Sequence, residues 1–256
     1  MRVAPLIRHL FRRKAKSAVT HAGERVYAVG DIHGRIDLFR SILKQIQIDG
    51  QERGPNSTRI VLLGDLIDRG PSSRQVLELV LHLHRSSEGF VVLSGNHEEM
   101  LLESCAGNGT MQNLWLDCGG METLRSYGIE RAMLRGLRPA ELGELITRTI
   151  GRPTLEWISA LPLTFRSGDY FFCHAGVRPG VALDEQRRED LLWIRDEFLD
   201  SSADHGAMIV HGHSEQSRIE VENNRINIDT AAYRTNVLSA LAVEGKERWF
   251  VEACHP

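Results

Sequence analysis

The residues of this 256-residue chain with the most chemistry to offer fall in five short polar clusters, each at the end of an apolar run. They are Gly30-Asp31-Ile32-His33-Gly34, Gly64-Asp65-Leu66-Ile67-Asp68-Arg69-Gly70, Gly95-Asn96-His97-Glu98, His174-Ala175-Gly176 and His211-Gly212-His213. In Asp31-x-His33 the two side chains point the same way on an extended segment, so a carboxylate and an imidazole can meet one ion. Asp65 has two oxygens with which to bridge two ions. Asn96 offers a neutral amide oxygen, and His174 and His213 offer imidazole nitrogen. Oxygen and nitrogen donors without thiolate suit manganese, iron or zinc at a catalytic centre and argue against a structural zinc. Two such ions about 3.5–4 Å apart would clamp a phosphate and acidify a bridging water. Any one cluster alone reads as a turn or a strand exit; all five in one chain read as metal-assisted phosphate chemistry.

Such clusters need a scaffold that brings distant segments together. Residues 25–29, 59–63 and 89–93 are short β-rich runs, each leading into one of the first three clusters. Between them Leu38, Ile42, Leu43 and Ile46, and then Val76, Leu79, Val80 and Leu83, keep one helical face apolar. Strand, polar turn, helix and strand in repetition are the mark of βαβ units. Nearly continuous apolar strands imply that both faces are covered, and ligands then collect at the carboxyl ends. From about residue 100 to 159 the strand pattern gives way to helical stretches over 110–127 and 139–150, with Gly107, Gly109, Gly119 and Gly120 as breakers, which read as an insertion. Strands return at 170–173 and 208–210. Two hairpins follow, one turning at Asn223-Asn224 and one at Glu244-Gly245-Lys246, so that a parallel first half is expected to meet an antiparallel second half.

With 42% hydrophobic residues, 25% charged residues and a net charge of −3, the composition is that of a soluble globular chain. No apolar run approaches the roughly 20 residues that cross a bilayer. Cys105, Cys118, Cys173 and Cys254 form no CxxC pair, which suits free thiols and a cytoplasmic setting. Nucleic acid is disfavoured as a partner, because no aromatic–basic stripe appears beyond the N-terminus. Residues 1–24 stand apart from the single domain expected over 25–256. Arg2, Arg8, Arg12, Arg13, Lys14 and Lys16 meet no acidic residue before Glu24, with Val3, Leu6, Ile7, Leu10 and Phe11 at helical spacing. That pattern fits either a frayed extension or a basic amphipathic helix over 1–16 that touches an anionic membrane surface or a partner groove.

GDIHG, GDLIDRG, GNHE and the later HAG and GH motifs resemble the signature of the phosphoprotein phosphatase family of metallophosphoesterases. The resemblance runs over about residues 26–233 and is nearest to the bacterial-type serine/threonine phosphatases, including Trp115-x3-Gly119-Gly120 and Trp193-Ile194-Arg195. It implies an α/β fold, a β-sandwich of two mixed sheets flanked by helices (αββα) with a helical insertion at about 100–160. It implies two divalent ions, manganese foremost. Asp31, His33 and Asp65 hold one, and Asp65, Asn96, His174 and His213 hold the other. His213 is chosen over His211 because it follows Gly212; His211 either sits beside the ligands or packs the core. Arg69 and Arg195 bind phosphate oxygens, planar guanidinium matching two at once. Arg195 has a competing reading as an ion-pair partner of Asp196 or Glu197. His97 is the general acid and Asp68 orients it. Glu98 and Glu99 suit the start of a helix and are not read as ligands.

The activity implied is removal of phosphate from phosphorylated proteins, at serine or threonine, by in-line attack of a hydroxide bridging the two ions. No CxxxxxR or GxSxG arrangement points to a covalent phosphoenzyme. Cleavage of bis(5'-nucleosyl) tetraphosphates or another small phosphoester remains an alternative. An idle scaffold or binding module is an alternative of another class, against which every expected ligand type is present.

Overall fold

The computed structural model describes residues 18–254. Three parallel strands, β1 (Glu24–Val29), β2 (Ser57–Leu62) and β3 (Phe90–Val92), are linked by α1 (Ile36–Glu52) and α2 (Ser73–Ser86). Along β1 the side chains alternate. Tyr27 and Val29 pack on Leu38, Phe39 and Ile42 of α1, while Val26 and Ala28 face the opposite side. Both faces are thus covered, which is why these strands carry so little polar sequence.

The second sheet holds β4 (Thr164–Ser167), β5 (Tyr170–Cys173), β6 (Met208–His211), β7 (Glu220–Val221) and β8 (Arg225–Asn227), in the order β4-β5-β6-β8-β7. Its inner face brings Tyr170, Phe172, Val210 and Ile226 against Val26, Ala28, Val61 and Leu63. Helices α8 (Arg188–Trp193) and α9 (Asp196–Leu199) cover its outer face through Leu191 and Phe198. The layering is helix, sheet, sheet, helix, as the resemblance implies.

The expected split into a parallel and an antiparallel half does not hold. The last hairpin, β9 (Val237–Glu244) and β10 (Glu247–Cys254), returns to the first sheet and places β9 antiparallel to β1. The reason lies in β9 itself: Ala240 and Ala242 serve one core while Leu241 and Val243 serve the other, so only a central position buries both faces. In the second sheet β5, β6 and β8 run parallel; only β4 and β7 are antiparallel to their neighbours. Asp49 ties α1 to β1 and to the edge strand β10 of the first sheet. It accepts the Tyr27 hydroxyl at 2.6 Å, Trp249 Nε1 at 3.0 Å and Arg53 Nε at 3.2 Å.

The insertion begins with α3 (Asn96–Cys105). The helical stretch expected over 110–127 divides at its expected breakers into α4 (Gly109–Trp115), a wide turn (Leu116–Gly120) and α5 (Met121–Ser126), with Gly119 at φ 108°. Next come α6 (Pro139–Ile150), which starts on its proline, and α7 (Arg152–Ser159). Between β8 and β9 lies the short helix α10 (Ala232–Thr235). Residues 18–23 lie against the fold: the Val19 N–H donates to the Asp169 carboxylate at 3.1 Å and the Thr20 N–H to the Gly245 carbonyl at 3.1 Å. The basic helix expected over 1–16 lies outside the described residues. No described helix is long and apolar enough to cross a membrane.

Candidate metal centre

The five clusters converge at the carboxyl ends of the strands. Asp31 follows β1, Asp65 follows β2, Asn96 follows β3, His174 follows β5 and His213 follows β6. Seven described non-glycine residues have positive φ, and five belong to these clusters: His33 (44°), Asp65 (48°), Asp68 (72°), Arg69 (65°) and His213 (63°). Each costs about 1–3 kcal/mol and persists only where its surroundings hold it. The holding contacts are visible. The Asp65 carbonyl accepts the Ile32 and His33 N–H groups at 3.1 and 2.9 Å, and the Arg69 N–H reaches the Gly119 carbonyl at 3.2 Å. Glycine is required where ligands press on backbone: a Cβ on Gly95 would collide with Asp65 Oδ1, and one on Gly212 with Asp31 Oδ1.

Asp65 divides its carboxylate. Oδ2 lies 3.6 Å from His33 Nε2 and 3.8 Å from His97 Nε2, whereas Oδ1 lies 3.4 Å from His174 Nε2. Two close donor groups result, His33–Asp65–His97 and Asp65–His174–His213, each with its atoms within 4.8 Å of one another. Asn96 Oδ1 joins the second group, 2.8 Å from His174 Nε2 and 2.9 Å from His213 Nδ1. Asp31 stands outside both close groups. Its Oδ2 accepts the His213 N–H at 3.1 Å, while its Oδ1 is buried without a partner.

The tautomers show what this arrangement lacks. His174 Nδ1 lies 2.9 Å from the Leu63 carbonyl and His33 Nδ1 lies 2.8 Å from the Ile67 carbonyl. A carbonyl can only accept, so both rings carry hydrogen on Nδ1 and leave Nε2 as a bare lone pair. His174 Nε2 then faces two more acceptors, Asn96 Oδ1 and Asp65 Oδ1, with no proton between them. His33 Nε2 and His213 Nε2 are buried without partners. Burial, with the neighbouring His97, keeps His33 neutral, and burial with the charges of His174 and Arg195 lowers His213 to about 2. Burial and the charges of Asp229 and Asp65 push Asp31 well above the usual carboxylate range. Inward-facing acceptors repel one another unless a cation sits among them, so this donor set fits divalent metal.

His97 and Asp68 form a buried pair beside that set, Nδ1 to Oδ2 at 2.6 Å. Asp68 is held by Trp115 Nε1 at 2.8 Å and by the Thr123 hydroxyl, and its N–H donates to the Ser73 and Thr123 oxygens. Burial alone would lower the His97 value, but Asp65 and Asp68 outweigh it and raise it above the ordinary one. The two arginines bear on different members of the set. Arg69 acts on Asp31, His33 and His97, and Arg195 on His174 and His213. Arg195 is exposed and makes no ion pair with Asp196 or Glu197; Glu197 is taken by Arg178. His211 packs edge-on against Phe198 at 5.0 Å, and burial lowers it to about 3, so it serves the core.

Several contributors have contacts at the site that the sequence does not foretell, although Glu98 and Trp115 lie within motifs already named. Glu98 is wholly buried and accepts three backbone N–H groups, from Asp65, Leu66 and Gly95, each at 2.9 Å. Trp115, Thr123, Glu215 and Tyr233 reach the site from remote segments. Asp229 is different. It follows the apolar–polar run Ile226-Asn227-Ile228 as the other clusters follow theirs, a signal that points to it; it is buried, with Oδ2 unpartnered. Burial raises its carboxyl to about 7.

The sequence profile described as "Calcineurin-like phosphoesterase" matches residues 24–238. The chain is 30% identical over 162 residues to the symmetrical bis(5'-nucleosyl)-tetraphosphatase of Aromatoleum aromaticum. That alignment covers 63% of this chain and 48% of that protein, about half its length. The chain is also 30% identical over 215 residues to serine/threonine-protein phosphatase 1 of Salmonella typhimurium, covering 81% of this chain and 86% of that one. Among solved structures, a protein described as a candidate diadenosine tetraphosphatase superposes with a TM-score of 0.61 at 21% identity, covering 93% of this chain and 100% of that one. At that identity the likeness is one of fold.

Proposed function

Since the chain belongs to the calcineurin-like phosphoesterase family, we propose that it is a metal-dependent phosphomonoesterase that removes phosphate from phosphorylated proteins, at serine or threonine, in the cytoplasm. The observation that carries the reading is the division of Asp65 between His33 and His174, each with its bare Nε2 turned inward. Asp31, His33 and Asp65 would hold one cation, and Asp65, Asn96, His174 and His213 the other. Manganese is the ion proposed for this oxygen and nitrogen set. Two divalent cations bound there would polarise the phosphoryl oxygens and lower the pKa of a water that attacks phosphorus.

The chain's own groups do the rest. Arg69 and Arg195 neutralise and orient the non-bridging oxygens. His97 donates a proton to the departing oxygen, and Asp68 keeps the imidazole oriented and favours its charged form. The His97–Asp68 pair bears on the substrate class. A serine or threonine alkoxide is a poor leaving group that gains much from protonation, whereas a nucleotide departs as a phosphate anion that needs little. Hydrolysis of dinucleoside tetraphosphates is the second reading, favoured by the tetraphosphatase among the relatives.

One experiment separates them: the manganese-loaded protein assayed in parallel on phosphoserine, phosphothreonine and phosphotyrosine peptides and on diadenosine tetraphosphate. The proposal expects the serine and threonine peptides to show the highest kcat/KM. Turnover of diadenosine tetraphosphate with inert peptides would reverse the order of the two readings.

A further inference from the structure

Arg69 does not stand free beside the centre. Its Nη1 donates to Oε1 of Glu215, on the segment just after His213. The same carboxylate accepts the Tyr233 hydroxyl, at 3.0 Å on Oε1 and 3.3 Å on Oε2, and lies 3.1 Å from Arg234 Nη2. The guanidinium carbon sits 4.9 Å from the centroid of the Tyr233 ring, and that ring meets His33 edge-on at 5.5 Å. Among the described residues, Arg69 Nε and Nη2 have no hydrogen-bond partner, and the Glu215 side chain is 24% exposed.

A carboxylate on a phosphate-binding arginine can be a rival of the phosphate or a brace for the arginine. Its other partners decide. Tyr233 and Arg234 both sit on α10 and hold Glu215 whether or not Arg69 is engaged, so incoming phosphate does not need to expel it. Arg69 is braced from its backbone as well, by the Gly119 carbonyl. With Nη1 occupied, the guanidinium keeps its Nε–Nη2 edge, whose two parallel N–H bonds match two oxygens of one phosphoryl group. We propose that Glu215 is a positioning residue for phosphate binding: it fixes Arg69 so that this edge alone faces the substrate. The inference rests on the phosphate-binding role proposed above for Arg69.

The test uses p-nitrophenyl phosphate as substrate and inorganic phosphate as competitor on the manganese-loaded wild type, Glu215→Ala, Glu215→Gln, Arg69→Ala and the Glu215→Ala/Arg69→Ala double variant. Glu215→Ala is expected to raise KM and the phosphate inhibition constant about tenfold, with kcat changed less than about threefold and metal content unchanged. Glu215→Gln keeps an acceptor oxygen and is expected to stay within about threefold of wild type. In the Arg69→Ala background, Glu215→Ala is expected to add nothing. Tighter phosphate in Glu215→Ala would make the carboxylate a rival and overturn the proposal. So would unchanged constants, a loss in Glu215→Gln equal to that in Glu215→Ala, or a full further loss on top of Arg69→Ala. A wild type that neither turns over p-nitrophenyl phosphate nor binds phosphate would instead refute the phosphatase reading itself, and this inference with it.

Discussion

Glu98 grips the backbone that turns Asp65 into the centre: its Oε2 accepts the Asp65 N–H at 2.9 Å. The same carboxylate takes Gly95 on Oε2 and Leu66 on Oε1, so two strand exits are fastened to one side chain at the start of α3. Asp65 sits at φ 48°, in the left-handed region that is uncommon for any residue with a Cβ. The proposed bridging ligand therefore owes its orientation to a neighbour that touches no metal.

Glu98→Gln should expose that dependence. An amide can satisfy only part of three converging N–H groups, and each buried N–H left without its acceptor costs about 1–3 kcal/mol. Affinity for manganese is expected to fall about 10–100-fold, the usual cost of losing a group that orients a ligand. Metal titration by calorimetry reads this, with circular dichroism confirming the fold. Unchanged affinity in a folded variant would mean that Asp65 is held in place without Glu98.

His97→Asn tests the proton donor. An aryl phosphate with a good leaving group needs little protonation, while a phosphoserine peptide needs much. The variant is expected to lose at least about tenfold more kcat on phosphoserine than on p-nitrophenyl phosphate. Equal losses on both would assign His97 to the metal, which its place in the His33–Asp65–His97 group also allows.

How much of this was readable in advance depends on how local each signal is. The clusters that converge were legible because each follows an apolar β-rich run within a few residues and carries a glycine, so sequence neighbours carry the message. Glu215 was not: its partner Arg69 is 146 residues away, and nothing near either one names the other. Thr123 likewise acts on Asp68 from 55 residues away, and Trp115, 47 residues away, was legible as part of a motif but not as a partner of Asp68. The break at Gly119 was legible from residue type, Gly119 and Gly120 reading as breakers, whereas the Arg69 N–H that its carbonyl meets was not. Strand β4 was missed because Thr164 and Phe165 are half-buried, Arg166 exposed and Ser167 buried, which gives four residues no clear apolar–polar alternation. The position of the β9–β10 hairpin, beside β1 and not beside β8, is settled by which faces become buried, and a sequence shows only that both faces are apolar.

Asp49 gives the fold a measurable pH dependence. Burial pushes its carboxyl up, but hydrogen bonds from Tyr27, Arg53 and Trp249 outweigh that and hold it below the ordinary value. An acid whose folded value is depressed stabilises the fold above its unfolded value, about pH 4, and loses that contribution as pH falls through the folded one. Wild type is therefore expected to exceed Asp49→Asn by about 1 kcal/mol at about pH 6, with the gap closing towards about pH 3. Urea denaturation at several pH values measures it. A gap that stays constant over that range would remove charge from the explanation and leave only shape.

The central claim is that one carboxylate serves two cations, and anomalous diffraction from manganese-soaked crystals tests it most directly. Two peaks about 3.5–4 Å apart are expected, one on each side of Asp65, the first near His33 and the second near His174 and His213. A single peak, or peaks that leave Asp65 uncoordinated, would contradict the account.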